Sequence, residues 1–287
     1  MELQGRLEEL TRSGIGVAAI SYDSREILAD FAEEQGITYP LLSDDNSEVI
    51  KDFGILNTVA MEGDGPNKDD PDVVADVKKY VGVAGMFEES VGTPFPGTFM
   101  LDTTGRVKSR FFEEFYRERN TAANVMLKLG IGLSPVAAIE GSSGQLDFTA
   151  YPSNATVTAG SRFSIAVDVE PKAGMHVYAP GAEKMRYRVV ELKLDPNPGV
   201  RYEPVTYPES EIYHFEPLDE RVPVYQRPFT LLQEVVVDAS NEAESALLEL
   251  DALTLTGSFN YQACDEKICY TPETVPLSFT LDLVESD

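Results

Sequence analysis

The hydrophobic pattern changes its period along this chain, and the change divides the chain into two parts. In the first part, short apolar runs alternate with segments in which apolar residues recur every three or four positions. Runs of this kind predict strands, and the longer spacing predicts helices. The predicted order is α, β, α, β, α, β, β, α, from a first helix at residues 3–10 to a last one at residues 120–129.

The first predicted strand covers residues 15–22, a nearly continuous apolar run typical of a strand buried on both faces. Asp23 and Glu26 then resemble a capping box, in which two side chains satisfy the free N–H groups at the start of a helix. This pattern predicts a second helix that ends at Gly36. Its buried stripe would consist of Ile27, Leu28 and Phe31.

The remaining predicted elements of the first part are short. Residues 37–42 form a brief apolar run that predicts a strand, and residues 47–53 predict a short helix. The polar residues 62–72 predict a solvated loop. Residues 98–102 and 107–112 flank a turn and predict a β-hairpin.

In the second part, apolar and polar residues alternate with a period of two. Gly and Ser are frequent at residues 136–145, which predicts a flexible linker between a first domain at 1–135 and a second at 146–287. The predicted strands cover residues 146–151, 162–169, 175–178, 189–194, 229–237, 247–261 and 275–283. With clusters of Pro, Gly, Asn and Asp between them and no convincing helix, they predict an all-β sandwich.

Composition narrows the possible functions. The chain has 287 residues, of which 43% are hydrophobic, enough for two domains with real cores. Its formal charge of −26 repels phosphate backbones and anionic lipids, so nucleic-acid binding is not expected. No apolar run approaches the roughly 20 residues of a membrane helix, so membrane insertion is not expected either. The first residues show no signal peptide.

Thiol chemistry can occur at one place, because Cys264 and Cys269 are the two cysteines of the chain. The four residues between them suit a hairpin tip at which the cysteines face each other. Facing positions bring Cα atoms to roughly 4.5–5.5 Å, which a disulfide accepts. Closing so short a loop would stabilise the fold by only about 2 kcal/mol. The spacing therefore leaves both a redox and a structural disulfide open.

The first part resembles the thioredoxin fold, and within it the peroxiredoxin-related redoxins. The resemblance is carried by residues 15–24, 36–44 and 93–102, with the turn at Gly105. In that family, a proline just before the Thr-Phe strand is usually cis and faces the redox cysteine. Pro96 matches this position, although it could also simply shape a loop.

The same resemblance shows what this chain does not contain. The family's first core strand, and the reactive cysteine near its end, precede the first helix, and this chain begins inside that helix. The absent strand would lie between the strands at 15–22 and 98–102, so we expect a gap in the sheet. We expect that Met1 is an internal methionine of a longer frame. The alternative is a domain that has lost its chemistry and closed its sheet.

The second part is similar to the N-terminal periplasmic domain of the thiol:disulfide interchange protein DsbD. The resemblance covers about residues 145–287 and is carried by the stretches 174–181, 224–229 and 259–277. The cysteine pair followed by Tyr-Thr-Pro-Glu is its most specific feature. It implies an immunoglobulin-like fold that passes electrons from a thioredoxin-like partner to oxidised proteins. The four-residue loop between the cysteines is slightly shorter than is usual in the family.

The implied chemistry is thiol–disulfide exchange, with Cys264 and Cys269 as the catalytic residues. On this interpretation Cys264 attacks the partner and Cys269 resolves the mixed disulfide. The neighbouring charges have opposing effects, because Asp265 and Glu266 would raise a thiol pKa and Lys267 would lower it.

The DsbD resemblance also suggests residues that line the site. Tyr178 and His176 align with a strand whose aromatic residues border the cysteines, although either could be an ordinary residue of a half-buried strand. Phe215 is the candidate for an aromatic residue that shields the pair on a mobile cap loop. Tyr213 competes for that role, and a plain surface loop is the alternative.

No cofactor is expected, and no metal site either. Zinc takes four ligands at recognisable spacing, and the two cysteines with His176 and His214 do not supply such a pattern. The acidic segment 62–72 lacks the ligand order of an EF-hand.

Two classes of function remain open. The first is a thiol–disulfide oxidoreductase whose partner is a thioredoxin-like redox protein or its own redoxin domain. The second is a non-catalytic binding module that joins a sandwich with a structural disulfide to an inert thioredoxin-like remnant. The DsbD resemblance and the expected disulfide favour an extracytoplasmic, periplasmic location.

Overall fold

The structure is a computed structural model that describes residues 2–81, 92–112, 118–133, 135, 137–216, 219–240, 247, 250 and 252–284. Its internal contacts divide the chain into two units, Met1–Ala122 and Ala123–Asp287. The first unit mixes short helices and strands, and sheets dominate the second. The predicted change from an α/β first part to a β-rich second part is confirmed.

The first unit alternates helices and strands. Strands β1 and β2 pair in parallel, and β3 and β4 form the predicted antiparallel hairpin. No ladder joins the two pairs among the described residues, which matches the expected gap in the sheet. The helices are α1 (Glu2–Gly5), α2 (Leu7–Arg12), α3 (Arg25–Gln35), α4 (Glu48–Asp52), α5 (Thr58–Gly63) and α6 (Pro71–Tyr80), and the strands are β1 (Ala19–Ser21), β2 (Leu41–Ser43), β3 (Gly97–Leu101), β4 (Val107–Phe112) and β5 (Arg119–Asn120).

Helix α3 begins one residue later than the predicted capping box implies. Its N-cap is Ser24, whose hydroxyl accepts a hydrogen bond from the Ile27 N–H at 3.4 Å. Asp23 instead accepts a hydrogen bond from the Ser21 hydroxyl. The predicted end is correct, because Gly36 adopts the left-handed conformation (φ 63°) that closes the helix.

The apolar stripe of α3 is less buried than its spacing predicted. Leu28 is buried, but Ile27 is 56% and Phe31 46% exposed. In β1, which was predicted to be covered on both faces, Ile20 is 39% exposed. Two separate pairs of strands offer less surface for packing than one continuous sheet, so these apolar side chains stay partly in solvent.

Helix α6 was missed by the sequence analysis, which placed a loop across its start. The Asp70 carboxylate accepts a hydrogen bond from the Asp72 N–H at 2.9 Å, and Pro71 occupies the first helical position. Both residues are typical of a helix start, because they satisfy or remove N–H groups that have no helical acceptor. The many acidic residues before them obscured this signal.

The elements of the second unit whose bounds the structure gives are an α-helix, a 3₁₀ helix and thirteen strands. The helix is α7 (Ala122–Lys128), which begins at the boundary between the units, and the 3₁₀ helix covers Ala182–Met185. The strands are β6 (Ile139–Ser142), β7 (Leu146–Pro152), β8 (Thr156–Val157), β9 (Ser161–Pro171), β10 (His176–Tyr178), β11 (Glu191–Leu194), β12 (Val200–Tyr202), β13 (Glu211–Phe215), β14 (Glu220–Tyr225), β15 (Phe229–Val237), β16 (Ala252–Tyr261), β17 (Ala263–Cys264) and β18 (Glu273–Leu283).

Two sheets enclose the main core of this unit. Their strand orders are β12-β15-β9-β7-β6 and β11-β16-β18-β8. The longest pairing, between β16 and β18, joins Ala252 to Asp282 at one end and Tyr261 to Glu273 at the other. Burial alternates along both strands, so every second side chain enters the core, as the period of two predicted. The predicted strand at 247–261 falls partly outside the described residues, at 248, 249 and 251.

The predicted linker contains a strand. Residues 139–142 form β6, which pairs with β7 in the register that opposes Ile139 to Ala150 and Ser142 to Asp147. The Ser143 hydroxyl accepts hydrogen bonds from the N–H groups of Gln145 and Leu146, which fixes the turn between the two strands. The Gly and Ser residues here therefore belong to a β-hairpin and not to a flexible segment.

Helix α7, predicted as the last helix of the first domain, packs within the second unit. Asn124 is fully buried and accepts a hydrogen bond from the Ser164 hydroxyl at 2.6 Å. Its amide donates to the Glu234 carboxylate at 2.9 Å. Leu127 packs against Tyr151 on the same sheet. Long-range contacts of this kind cannot be inferred from helical spacing alone.

A third sheet of the second unit has the order β13-β14-β10-β17. It carries a smaller buried cluster of its own, which includes Tyr178, Val222, Val224 and Cys264. This sheet is the one that holds the cysteine pair. Among the described residues, no helix is both long and apolar enough to span a bilayer.

Candidate functional site

The two cysteines lie on opposite sides of a tight turn and form a disulfide. Cys264 ends β17, and Cys269 faces it in an antiparallel bridge, with the Cα atoms 4.0 Å apart. The sulfur atoms are bonded at 2.04 Å. The predicted facing arrangement is therefore present.

Asp265 organises the turn between the cysteines. One of its carboxylate oxygens accepts hydrogen bonds from the N–H groups of Lys267 at 2.7 Å and Ile268 at 2.8 Å. The other oxygen accepts one from the Tyr270 hydroxyl at 2.9 Å. The Asp265 N–H in turn donates to the Ile268 carbonyl. A carboxylate that accepts three hydrogen bonds holds the turn in one conformation.

The residues that flank the turn add to this support. The Tyr270 N–H donates to the Ala263 carbonyl at 2.9 Å, and the Gln262 side-chain amide donates to the Tyr270 carbonyl at 2.9 Å. The tip is therefore held by hydrogen bonds on both sides of the disulfide.

Strand β10 lies beside the first cysteine. Its register with β17 places His176 directly opposite Cys264 and Val177 opposite Ala263. Residues directly opposite each other project from the same face of a sheet, and so do residues two apart in one strand. His176, Tyr178 and Cys264 therefore share one face.

Tyr178 touches the second cysteine. Its hydroxyl lies 3.4 Å from the Cys269 sulfur, within the range of a hydrogen bond to sulfur. The Tyr178 ring stacks on Tyr187 with centroids 4.3 Å apart, and the Tyr187 hydroxyl donates to the Glu220 carboxylate at 2.5 Å. Stacking on Tyr187 fixes the direction in which the Tyr178 hydroxyl points.

The hairpin of β13 and β14 supplies the other wall of the site. Tyr213 lies 4.8 Å from the His176 ring, and Phe215 follows it two residues later on the same face. Together these elements enclose a small cavity of about 80 Å³. It is lined by His176, Tyr178, Tyr187, Tyr213, Phe215, Val222, Cys264, Asp265, Lys267, Ile268 and Cys269.

The two sulfur atoms are not equally accessible. Cys264 is 1% exposed and belongs to a buried cluster, whereas Cys269 is exposed and follows Ile268, which is 56% exposed. A partner thiol approaching from solvent meets Cys269 first. The predicted assignment, in which Cys264 attacks, is therefore the opposite of what these exposures favour. The sequence could not show this, because the direction of each side chain depends on how the sheet is paired.

Burial and hydrogen bonding set the charges of the site. Burial lowers the pKa of His176, and the nearby Asp265 carboxylate acts against this effect. Burial raises the pKa of Tyr178 to about 12, so its hydroxyl keeps its proton at neutral pH. Hydrogen bonds from the Ile268 and Lys267 N–H groups and the Tyr270 hydroxyl hold the pKa of Asp265 below its ordinary value. The turn therefore carries a negative charge.

Most of the predicted lining residues meet at this cavity. His176, Tyr178 and Phe215 all line it with the cysteines, and so does Tyr213, the predicted competitor of Phe215. Pro96 belongs to the first unit and does not line the cavity. The redoxin resemblance implies a cis bond before Pro96, but the described residues contain no cis peptide bond, as the alternative of an ordinary loop proline implies.

Sequence reasoning missed three contributors to the site. Tyr187 and Val222 line the cavity, and Glu220 accepts the hydrogen bond from Tyr187. The available signal was the spacing of Val222 and Val224, two positions apart with Arg221 and Pro223 beside them, which is typical of a strand that the sequence analysis did not predict. Among the described residues, no group of three or more His, Cys, Asp or Glu side chains is placed to bind a metal.

Comparison with known families finds one match in the first part of the chain and a different match in the second. Residues 1–110 match the AhpC/TSA family, and residues 147–280 match the family described as "Thiol:disulfide interchange protein DsbD, N-terminal". The cysteine pair lies in the second match. The chain thus carries a redoxin domain and a DsbD N-terminal domain, and both support a general role in thiol–disulfide redox chemistry.

Individual relatives match parts of the chain. A putative peroxiredoxin of Mycobacterium tuberculosis is 39% identical over 62 residues, which are 22% of this chain and 40% of that protein. Peroxiredoxin Bcp of Escherichia coli is 38% identical over 61 residues, 21% of this chain and 39% of that protein. The chain therefore spans well under half the length of these curated relatives.

Two solved structures also resemble the chain. The reduced N-terminal domain of Neisseria meningitidis DsbD is 15% identical, with a TM-score of 0.29 over 42% of this chain and 78% of that one. The N-terminal periplasmic domain of ScsB from Proteus mirabilis is 11% identical, with a TM-score of 0.31 over 51% of this chain and 50% of that one.

Proposed function

Because the chain joins a segment matching the AhpC/TSA family to one matching the N-terminal domain of DsbD, we propose that it exchanges disulfides with a thioredoxin-like partner through Cys264 and Cys269. One observation carries the proposal. An exposed sulfur is bonded to a buried sulfur at the mouth of an aromatic cavity. This arrangement gives a partner one point of attack and keeps the second sulfur within reach.

Exchange proceeds through a mixed disulfide. A partner thiolate attacks the exposed Cys269 sulfur, a bond forms between these two atoms, and the Cys264–Cys269 bond breaks with its electron pair left on Cys264. In the opposite direction, the Cys269 thiolate attacks the disulfide of an oxidised protein, and Cys264 then resolves the mixed disulfide. Cys269 is therefore the attacking cysteine and Cys264 the resolving one.

The construction of the turn supports exchange over a structural role. The hydrogen bonds of Asp265 and Tyr270 hold the tip without help from the sulfur atoms. The bond itself closes a short loop, which constrains the unfolded chain by only about 2 kcal/mol. A disulfide that contributes little to stability, in a turn that is held independently, can open and close without unfolding its surroundings.

The aromatic wall gives this exchange its selectivity. Phe215 and Tyr213 are half-buried beside the cavity, and the His176 ring packs against Tyr213. A partner must fit against these rings to reach the disulfide. We assign Phe215 the shielding role that the sequence analysis gave it, with Tyr213 lining the cavity on the same strand.

The partner's thiols come from outside this sequence, because residues 1–140 contain no cysteine. A thioredoxin-like protein, or a redoxin domain that carries its own cysteine, provides the complementary chemistry. We place this exchange in an extracytoplasmic, oxidising compartment, since disulfides persist there and the matched DsbD domain acts on disulfides.

Trapping the mixed disulfide tests the proposal. Cys264→Ser leaves Cys269 without its resolving cysteine. Incubation of this reduced variant with a thioredoxin-like protein that keeps one active-site cysteine, activated as its nitrothiobenzoate disulfide, should accumulate a covalent complex as nitrothiobenzoate leaves. Cys269→Ser retains only the buried sulfur and should form at least about tenfold less complex. Equal trapping by the two variants, or trapping by neither, would contradict the proposed roles.

The rival function, a binding module with a structural disulfide, is separated by the reduction potential of the pair. Equilibration of the full chain with a redox buffer measures this potential. A value in the range of known exchange proteins, about −120 to −270 mV, supports exchange. A value below about −300 mV indicates a structural bond.

A further inference from the structure

His176 has no role in the exchange steps described so far, yet it lies directly opposite the resolving cysteine. The register of β10 and β17 pairs it with Cys264. Directly opposed residues of antiparallel strands have Cβ atoms about 4.5–5.5 Å apart and project from one face. Both side chains line the same cavity. The imidazole and the Cys264 sulfur are therefore neighbours in an enclosed space.

The imidazole is held firmly in this place. His176 is 3% exposed, with Tyr213 at 4.8 Å on one side and the edge of Tyr178 at 5.4 Å on the other. The titratable groups that face it are Tyr178 on its own strand, Tyr213 on the neighbouring hairpin, and Cys264 and Asp265 at the tip. Burial raises the pKa of Tyr178 to about 12, so this residue keeps its proton. Asp265 is the carboxylate that faces the imidazole, and Lys267 lines the same cavity.

Burial keeps the imidazole neutral near pH 7, because desolvation lowers the pKa of His176 and outweighs the opposing effect of Asp265. A neutral imidazole can accept a proton. The buried Cys264 thiol must lose a proton before it can act, since the thiolate is the nucleophile. Solvent is poorly placed to take that proton, because Cys264 is 1% exposed.

We propose that His176 is the base that takes the proton of Cys264 when this cysteine resolves the mixed disulfide at Cys269. The inference rests on the proposed exchange function and names a residue that acts in one step of it. The proton moves from the Cys264 sulfur to an imidazole nitrogen. The Cys264 thiolate then attacks the Cys269 sulfur, the Cys264–Cys269 bond forms, and the partner leaves as a thiolate with the electron pair of the broken bond. The imidazolium returns its proton to solvent.

When the Cys264–Cys269 disulfide is reduced by a partner, the proton moves in the opposite direction between the same two residues. When a partner thiolate attacks Cys269, a negative charge appears on the buried Cys264 sulfur. This charge favours a protonated imidazole beside it. His176 takes a proton from solvent and passes it to Cys264, so that no unpaired charge remains in the cavity.

A two-step titration of the reduced full chain tests this role. One equivalent of dithiobis(nitrobenzoate) releases a first coloured thiolate when Cys269 attacks and a second when Cys264 resolves the mixed disulfide. The rates are followed between about pH 5 and 8, the range in which histidines change charge. His176→Phe keeps the ring packing without the base, and His176→Gln keeps a polar side chain. Both should slow the second release by at least about tenfold at pH 7 and leave the first release unchanged.

The other histidine provides the matched control. His214 lies on β13, bonds to the Asp219 carboxylate at 2.8 Å and does not line the cavity. His214→Phe should retain both releases. The role of His176 is refuted if either folded variant, H176F or H176Q, keeps the wild-type pH profile of the second release. That result would leave the proposed exchange function standing. If the wild-type chain itself gives no second release, the proposed function is wrong and this inference is wrong with it.

Discussion

The contact between the Tyr178 hydroxyl and the Cys269 sulfur predicts the effect of a single-atom change. Tyr178→Phe removes the hydroxyl and keeps the ring that stacks on Tyr187. In the reduced protein this hydroxyl can donate to the Cys269 thiolate, because burial raises the pKa of Tyr178 to about 12 and the proton stays in place. A donor that stabilises a thiolate lowers the thiol pKa. Its removal should therefore raise the pKa of Cys269.

The magnitude follows from the strength of a hydrogen bond to a charged group, about 1.5–3 kcal/mol. We take the lower end, because sulfur is a weak acceptor and the contact is 3.4 Å long. One pKa unit corresponds to about 1.4 kcal/mol, so the pKa of Cys269 should rise by about one unit. At a pH below that pKa, the thiolate fraction falls about tenfold, and the greater basicity of the thiolate recovers about threefold of this. Attack should slow about threefold.

The assay is the ultraviolet absorbance of the thiolate as a function of pH. It is best measured in the Cys264→Ser background, in which Cys269 is the one remaining cysteine. The rate of attack on a small aromatic disulfide, measured in the same samples, gives the second readout.

Tyr225→Phe is the matched control. Tyr225 lies in the same sheet and its pKa is also raised to about 12 by burial, but its hydroxyl donates to the Pro208 carbonyl and it does not line the cavity. This control should leave the pKa of Cys269 unchanged. An unchanged or lowered pKa of Cys269 in Y178F would show that the hydroxyl does not stabilise the thiolate.

Three further predictions concern the framework. Asn124→Ala removes the acceptor of the fully buried Ser164 hydroxyl and should lower the free energy of unfolding of the second unit by about 1–3 kcal/mol in chemical denaturation. Gly257→Ala would place a Cβ atom 2.3 Å from the Lys193 carbonyl oxygen, so β11 must move from β16, at a cost of at least about 2 kcal/mol in the same measurement. Hydrogen bonds lower the pKa of Asp265 in the folded chain, so its support of the turn is complete above the ordinary value of 3.8 and is lost as the pH falls through the folded pKa. The protection of the tip amides, measured as hydrogen exchange relative to the intrinsic rate at each pH, should therefore fall only below pH 3.8.

Each of these predictions has a comparison that could contradict it. Asn46→Ala changes an exposed asparagine, and Gly144→Ala adds a Cβ with no atom within 4 Å, so both should be nearly neutral. If Asn46→Ala lowered the free energy of unfolding as much as Asn124→Ala, or Gly144→Ala as much as Gly257→Ala, the named contacts would not be responsible. For the turn, loss of protection above pH 3.8 would show that another group holds it.

The sequence predicted the arrangement of the second unit well where one local rule determined it. Alternation placed β16 and β18, and the four residues between the cysteines placed them across a turn. The resemblance to the DsbD domain brought His176, Tyr178 and Phe215 to the same site. The accessibility of each sulfur could not be predicted, because it depends on how β10 and β14 cover Cys264.

The first unit shows the limit of local rules more clearly. Spacing placed Leu28 in a buried position correctly, but it placed Ile27 and Phe31 there as well. Burial of a helix face depends on the surface opposite it, which the helix sequence does not specify. In the same way, α7 has an ordinary helical pattern, and the burial of Asn124 becomes visible only with Ser164 and Glu234 in place.

The self-supporting turn at Asp265 has a consequence for how long partners stay bound. The hydrogen bonds of Asp265 involve neither sulfur, so under the proposed exchange function we expect a partner to meet nearly the same surface before and after the disulfide opens. Shape therefore provides no signal for release of the product. Turnover then requires an interface that dissociates quickly in both redox states, so the covalent mixed disulfide supplies most of the lifetime of the complex. A tighter docking surface would slow this protein instead of improving it.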